Sequence, residues 1–282
     1  MEIIQASKEK SYTIILSIAG SDSSGGAGIQ ADIKTISALG CYAATAITAV
    51  TVQNTMGVSA VHSIPADIVI AQAKAVLLDM PPAAIKIGMI HSAAIALSLA
   101  QTLKSYPGIP IVFDPVMVAT SGDLLMEKET VTLIMENILP ITKLLTPNLH
   151  EAAVLAKMPV SNIKDMQVAA EKIIKYGSFA VLIKGGHLKG TDLCDVYFDQ
   201  NGVEKLLHSP AIPSTNTHGT GCSLSSAIAS YIGIGEDLDA AILKGKSYIH
   251  QAILQGKDVK TGHGQGPLNH FFAPEPLKIK YS

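Results

Sequence analysis

"YTIILSIAGSDSSGGAGIQADIKTISALG" (residues 12–40) is the stretch whose reading decides the fold. Its opening is a short β-branched run that ends at Gly20 and reads as a buried strand. A glycine-rich loop follows. The remainder predicts a helix from about Gly28 to Leu39, which Gly40 can terminate. Working outward, the same alternation recurs. "YAATAITAVTVQNT" (42–55) predicts a second strand, and "PADIVIAQAKAVLLDM" (65–80) predicts a helix that Pro81 stops. Further strands are expected at "AIKIGM", "IPIVFDP", "KLLTPN" and "FAVLIKGG", with apolar-periodic segments between them. Asn201-Gly202, between two strand-like runs in "CDVYFDQNGVEKLL", signals a hairpin near one sheet edge. A further helix is expected over about 237–255, before a glycine-rich tail. This rhythm is that of an α/β fold: a three-layer α/β/α sandwich around a central, mostly parallel sheet.

With 282 residues, 48% hydrophobic and 16% charged, the chain can bury a large core, and residues 1–282 are expected to form one domain. The formal net charge is −2 and no long Lys or Arg run occurs, which argues against nucleic acid as partner and for a small molecule. Polar residues interrupt every apolar stretch short of the roughly 18 residues of a membrane helix, so no membrane association is expected. The N-terminal segment lacks a small-residue cleavage pattern, so it does not read as a signal peptide. Cys41, Cys194 and Cys222 are too few and too scattered for a disulfide framework or a CxxC zinc site, and a reducing cytoplasm fits them.

In parallel α/β sheets ligands bind beyond the carboxyl ends of the strands. Asp22, Gln53, Asn54, Lys86 to Met89, Asp114, Asn148, Lys184 to His187 and Gly219 to Cys222 all follow expected strands. "GAGIQA" (26–31) fits a dinucleotide-binding fingerprint, yet that reading wants an acidic residue closing the second strand, which here closes on "TVQNT". Asp32 lies on a helical stripe with Ile29, Ile33 and Ile36. A carboxylate there must be paired or face a polar pocket, and contact with substrate is favoured over a purely structural bond. Gln53 offers a donor and an acceptor in one plane and could pair with an aminopyrimidine edge, or simply satisfy a turn. In "STNTHGTGCSLSSAIAS" (214–230), the backbone N–H groups of Gly219, Thr220 and Gly221 stand at a helix N-terminus, an oxyanion site built without side chains. No Walker A spacing occurs. The helix end should lower the Cys222 thiol below its free value. That residue could be structural, a covalent nucleophile, or a general base for a hydroxyl attacking phosphorus, and beside an anion cradle the base is favoured.

Together, "IAGSDSSGGAGIQADIKTISALG", "TAVTVQNTMGV", "KIGM", "FDPVM", "TPNLHEA", "KGGH", "NTHGTGCSLSSAIA" and "GHGQGPLNHFF" resemble the hydroxymethylpyrimidine/phosphomethylpyrimidine kinases of thiamine biosynthesis, in the ribokinase superfamily, over about residues 12–272. The resemblance implies a ribokinase-like fold, a homodimer, and two successive phosphoryl transfers from ATP, to the substrate hydroxymethyl and then to its monophosphate. It implies that Gly20, Asp32, Gln53, Met89, Val116 and Cys222 contact the pyrimidine, and that Gly219, Thr220 and Gly221 hold the migrating phosphoryl charge. Asp114, Asn148 and Glu151 would organise Mg²⁺ and its waters, and Lys184 would approach the nucleotide phosphates. Pyridoxal kinases share the cysteine, so pyridoxal is the competing substrate. A cysteine hydrolase and a non-catalytic binding protein are the alternatives from other classes. The segments 118–129 and 187–192 are expected as mobile covers.

Overall fold

The computed structural model describes residues 10–117, 128–186, 188 and 190–281; residues 118–127, 187 and 189 of the two expected covers lie outside them. In chain order the elements begin with β1 (Lys10–Tyr12), β2 (Ile14–Ala19), α1 (Gly28–Ala38), β3 (Tyr42–Ile47), β4 (Ala49–Asn54), β5 (Gly57–Ser63), α2 (Ala66–Asp79) and β6 (Ala84–Ile87). Next come α3 (Ala93–Leu103), β7 (Ile111–Phe113), α4 (Lys128–Asn137), β8 (Leu144–Leu145), α5 (Leu149–Ala156), α6 (Ile163–Ile173) and β9 (Ala180–Ile183). The chain closes with β10 (Asp192–Asp199), β11 (Glu204–Pro210), α7 (Thr220–Gly233), α8 (Leu238–Gly256) and β12 (Ile279–Tyr281).

Eight strands form the central sheet in the order β11-β10-β9-β8-β7-β6-β2-β3. The run from β3 to β9 is parallel, whereas β10 and β11 are antiparallel and close one edge as the Asn201-Gly202 hairpin. Alternation along the strands assigns each residue to a face. Leu16, Ile18, Ile85, Ile87, Phe113, Leu145 and Val181 pack with α2 to α6. Ile15, Ala84, Val112, Leu144, Ala180 and Leu182 pack with α1, α7 and α8. Both faces are therefore buried, one core per face, as the expected α/β/α layering requires. Among the described residues no helix is long and apolar enough to cross a membrane.

Two sequence expectations need correction. Residues 42–55 are not one strand. They break at Thr48, where its N–H bonds Ala19 O and its hydroxyl donates to Met89 O. β3 stays in the main sheet; β4 leaves it and pairs with β5 as a separate two-stranded hairpin. Gln53 thus sits on that hairpin rather than at the end of a central strand. On α1, Ile29 and Ile36 are buried but Ile33 is exposed. The buried arc of α1 also holds Ala31, Thr35 and Ala38, because the helix is wedged between sheet and α7, and at 100° per residue Ile33 falls just beyond that arc.

Candidate active site

The site lies where the carboxyl ends of β2, β6, β7 and β9 meet the start of α7. Gly219 caps α7 in the left-handed region (φ 82°), and a Cβ there would overlap Gly26 O. The first glycine loop and the cradle therefore touch backbone to backbone, which only glycine permits. No side chain caps α7. Thr220 N–H bonds back to Thr217 O at 3.3 Å and Ser223 N–H to Gly219 O at 2.9 Å, whereas Gly221 and Cys222 N–H meet no partner among the described residues. Of the three expected donors, the turn at 217–220 consumes the Thr220 hydrogen, while Gly219 and Gly221 N–H meet no partner among the described residues and Cys222 N–H joins them. Unpaired amides at a helix N-terminus are an anion site.

Residues on the sheet face that meets α7 converge on this point. Lys184 Nζ pairs with Asp114 Oδ1 at 2.6 Å, and Thr146 Oγ1 donates to the same oxygen at 3.2 Å. A Cβ on Gly221 would stand 3.0 Å from Lys184 Nζ and 3.3 Å from Asp114 Oδ2, so the ion pair lies against the open amides. Burial pulls the Lys184 ammonium down, but Asp114 and Glu151 outweigh it and hold its pKa above the ordinary value. Asn148 and Glu151 form a capping box at the start of α5: Glu151 N–H donates to the Asn148 side chain at 2.9 Å, and Asn148 N–H donates to the Glu151 carboxylate at 2.7 Å. Burial pushes the Glu151 carboxyl up to about 7, with Lys184 opposing and Asp114 reinforcing that shift.

Asp32 is fully buried, and its carboxylate accepts from Lys86 at 2.8 and 2.9 Å, Ser17 at 2.5 Å and Ser226 at 2.8 Å. The expected open substrate contact is therefore replaced by a closed ion pair with no exposed surface, because Ser17 and Lys86 are register partners on adjacent strands facing the same helices. Lys86 was read from the sequence only as one of the polar residues at the ligand end, and its pairing with Asp32 was missed. Its signal was present, since a lysine inside the short apolar strand "AIKI" demands a buried partner. Burial alone lowers the Lys86 pKa, yet Asp32, with Cys222 and Asp114, raises it above the usual value.

Cys222 lies one helical turn before Ser226 and retains some accessible surface. The expected depression of its pKa is not found. Burial pushes the thiol up to about 11; Lys86 pulls the other way, while Asp32 and Asp114 add to the rise.

The remaining expected residues lie around the same end of the sheet. A Cβ on Gly20 would come 2.5 Å from Met89 Cε, so these two are in contact. Val116 is half-buried just past Asp114, its N–H on Asp114 O at 2.8 Å. Gln53 overhangs from β4, its amide near Thr51 and His218. His218 Nε2 bonds Asp22 Oδ2 at 2.8 Å, and Asp22 also accepts from Ser24, Gly26 and Ala27 N–H. Burial opposes the Asp22 charge, but these donors hold its carboxyl well below the usual range.

The chain is similar over most of its length to known proteins. The phosphomethylpyrimidine kinase family model matches residues 22–269. A hydroxymethylpyrimidine/phosphomethylpyrimidine kinase of Rhizobium meliloti (strain 1021) is 47% identical over 261 residues, 92% of this chain and 97% of that relative. The crystal structure of a phosphomethylpyrimidine kinase from Clostridium difficile 630 is 41% identical, with a TM-score of 0.75 over 85% of this chain and 99% of that one. A Staphylococcus aureus pyridoxal kinase in complex with pyridoxal is 30% identical, with a TM-score of 0.84 over 96% of this chain and 99% of that one. The family model's match runs from the first glycine loop through the tail that follows the cradle, most of the chain, and this chain belongs to the phosphomethylpyrimidine kinase family.

Proposed function

We propose that this kinase transfers the terminal phosphoryl group of ATP to the hydroxymethyl of 4-amino-5-hydroxymethyl-2-methylpyrimidine, and then to the resulting monophosphate, in thiamine biosynthesis. The observation that carries this reading is the Lys184–Asp114 pair set against the open Gly221 and Cys222 amides. Phosphoryl transfer asks chiefly for alignment and neutralisation of equatorial oxygen charge, and this corner supplies one ammonium and preorganised N–H groups. Lys184 orients the nucleotide phosphates, and the α7 amides receive the migrating group. Cys222 stands beside them to accept the hydroxyl proton. Gly20, Met89 and Val116 bound the ring, with Gln53 at its polar edge; Asp32 acts from behind, by fixing Lys86.

The residues present fit Mg²⁺. Asp114 and Glu151 are hard oxygen donors whose mutual repulsion a cation would relieve. Among the described residues no cluster of three or more ligating side chains occurs, so Asp114, Glu151 and Asn148 would hold the ion largely through water and phosphate oxygens. Bound there, Mg²⁺ would neutralise charge on the transferred phosphates. Residues 1–282 act as one domain in this reading, the protein is cytoplasmic, and two copies pair as a homodimer.

The test is a kinase assay with ATP and Mg²⁺ on both hydroxymethylpyrimidine and pyridoxal, with product mass resolving one added phosphate from two. A higher kcat/KM for the pyrimidine and a doubly phosphorylated product are expected. Preference for pyridoxal, or ester cleavage without ATP, would refute the reading.

A further inference from the structure

The Gln53 amide has a neighbour at each end, and hydrogen accounting shows that each end faces the wrong one. Gln53 Oε1 lies 3.2 Å from Thr51 Oγ1, and Gln53 Nε2 lies 3.5 Å from His218 Nε2. Thr51 Oγ1 carries a single hydrogen. It also lies 2.8 Å from Ser21 O, a carbonyl that can only accept, so that hydrogen is committed there. Two oxygens then face each other at 3.2 Å with no proton between them. At the other end, Asp22 is almost fully buried and ionised, and its Oδ2 lies 2.8 Å from His218 Nε2. A carboxylate only accepts, so His218 Nε2 bears the hydrogen whether the ring is neutral or protonated. The Gln53 NH₂ therefore faces a second N–H. Turning the amide by 180° about its last bond cures both contacts: the NH₂ donates to the free Thr51 lone pair and the carbonyl faces His218 N–H.

We propose that Thr51 and His218, the latter held by Asp22, are positioning residues that fix the Gln53 amide with its oxygen toward His218 and its NH₂ toward Thr51, and thereby set the substrate edge this kinase reads. With one hydrogen given to Thr51, and the carbonyl facing a His218 hydrogen that is already donated to Asp22, the amide keeps one N–H and its lone pairs for a ligand. Their order is fixed along the hairpin. A matching ring presents its donor on the His218 side and its acceptor on the Thr51 side, as the amino group and adjacent ring nitrogen of a 4-aminopyrimidine do. Pyridoxal has no amino group beside a ring nitrogen and lacks this amino–ring-nitrogen edge.

The consequence for substrate choice rests on the proposed function, but the amide orientation does not, and it is measured without substrate. In the full-length protein, the Gln53 side-chain NH₂ resonances are identified by their loss in Gln53→Glu. Nuclear Overhauser contacts from them to the Thr51 methyl are expected. Contacts to the His218 ring protons instead, or none to the Thr51 methyl, would overturn the assignment. Thr51→Val, which keeps the shape and removes the acceptor, should raise the pyrimidine KM by about tenfold, the scale of one hydrogen bond. It should leave kcat and the ATP KM unchanged, and Thr51→Ser should restore wild-type values. An unchanged pyrimidine KM in Thr51→Val overturns the specificity role. A wild-type preference for pyridoxal counts against the proposed function and leaves the amide assignment standing.

Discussion

Cys222 and Glu151 show how burial overrides a local rule. The start of α7 and the Lys86 ammonium both favour a thiolate at Cys222, yet desolvation wins and the thiol is pushed up to about 11. At pH 7 roughly one molecule in 10⁴ holds the thiolate. Base catalysis by Cys222 then predicts a kcat that climbs with pH above 7. Cys222→Ala should lower kcat by roughly 10² to 10⁴-fold, the usual yield of acid–base help, and flatten that climb with ATP binding intact; undiminished turnover would remove Cys222 from the mechanism. Glu151 follows the same physics. Its folded pKa of about 7 exceeds the reference 4.5, so the folded state binds more protons and stability falls as pH rises from 4.5 through 7. In the protein free of Mg²⁺ and nucleotide, Glu151→Gln keeps an acceptor for Asn148 N–H and removes the charge. Its melting temperature should exceed wild type at pH 8, by a contribution on the order of 3 kcal/mol, and match it at pH 4. Equal melting at both values would show that Glu151 titrates normally. Both residue types and their neighbourhood were legible in the sequence. The sign of the Cys222 shift was not, because it depends on atoms from β6, β7 and α1 that pack around one thiol.

At the scale of elements, the hairpin β4–β5 was the least legible feature. Nothing between Ile47 and Ala49 is a glycine or proline, so a continuous β-branched run conceals a strand that changes sheets. Only the partners of Thr48, far away in sequence, mark the break. The hairpin is tied down by the glycine-rich tail: Gln265 N–H bonds Thr55 O at 3.0 Å, and Gly264 N–H bonds Thr55 Oγ1 at 3.1 Å. A Cβ on Gly264 would overlap Thr55 O, whose position the backbone fixes. Gly264→Ala should therefore lift the hairpin tip and carry Gln53 with it. The pyrimidine KM should rise about tenfold, comparable to one or two hydrogen bonds, with the ATP KM and melting temperature little changed because the hairpin belongs to neither core. A parallel rise in the ATP KM would mean that the tail supports the phosphate side as well.

At the scale of the whole molecule, one end of the sheet gathers the first glycine loop, the hairpin, the α7 cradle and the tail. Strand periodicity and the rule for parallel sheets made that end identifiable from the sequence; the contacts Gly26 with Gly219 and Asp32 with Lys86 were not, since each joins segments whose approach only the folded topology defines. Such a site predicts linked stability. A ligand that binds only the folded state stabilises it by RT ln(1 + [L]/Kd), about 2.7 kcal/mol at one hundred times Kd. A non-hydrolysable ATP analogue with Mg²⁺ should therefore raise the melting temperature by several degrees. Hydroxymethylpyrimidine should add a further rise on top of the nucleotide if, as proposed, the ring binds at Gly20, Met89 and Val116 and the nucleotide phosphates at Lys184. Pyridoxal, which lacks the amino–ring-nitrogen edge that Gln53 is proposed to read, should add less at equal concentration. If neither nucleotide nor pyrimidine moves the transition, the convergence at α7 does not bind them, and the kinase assignment of this corner fails with it.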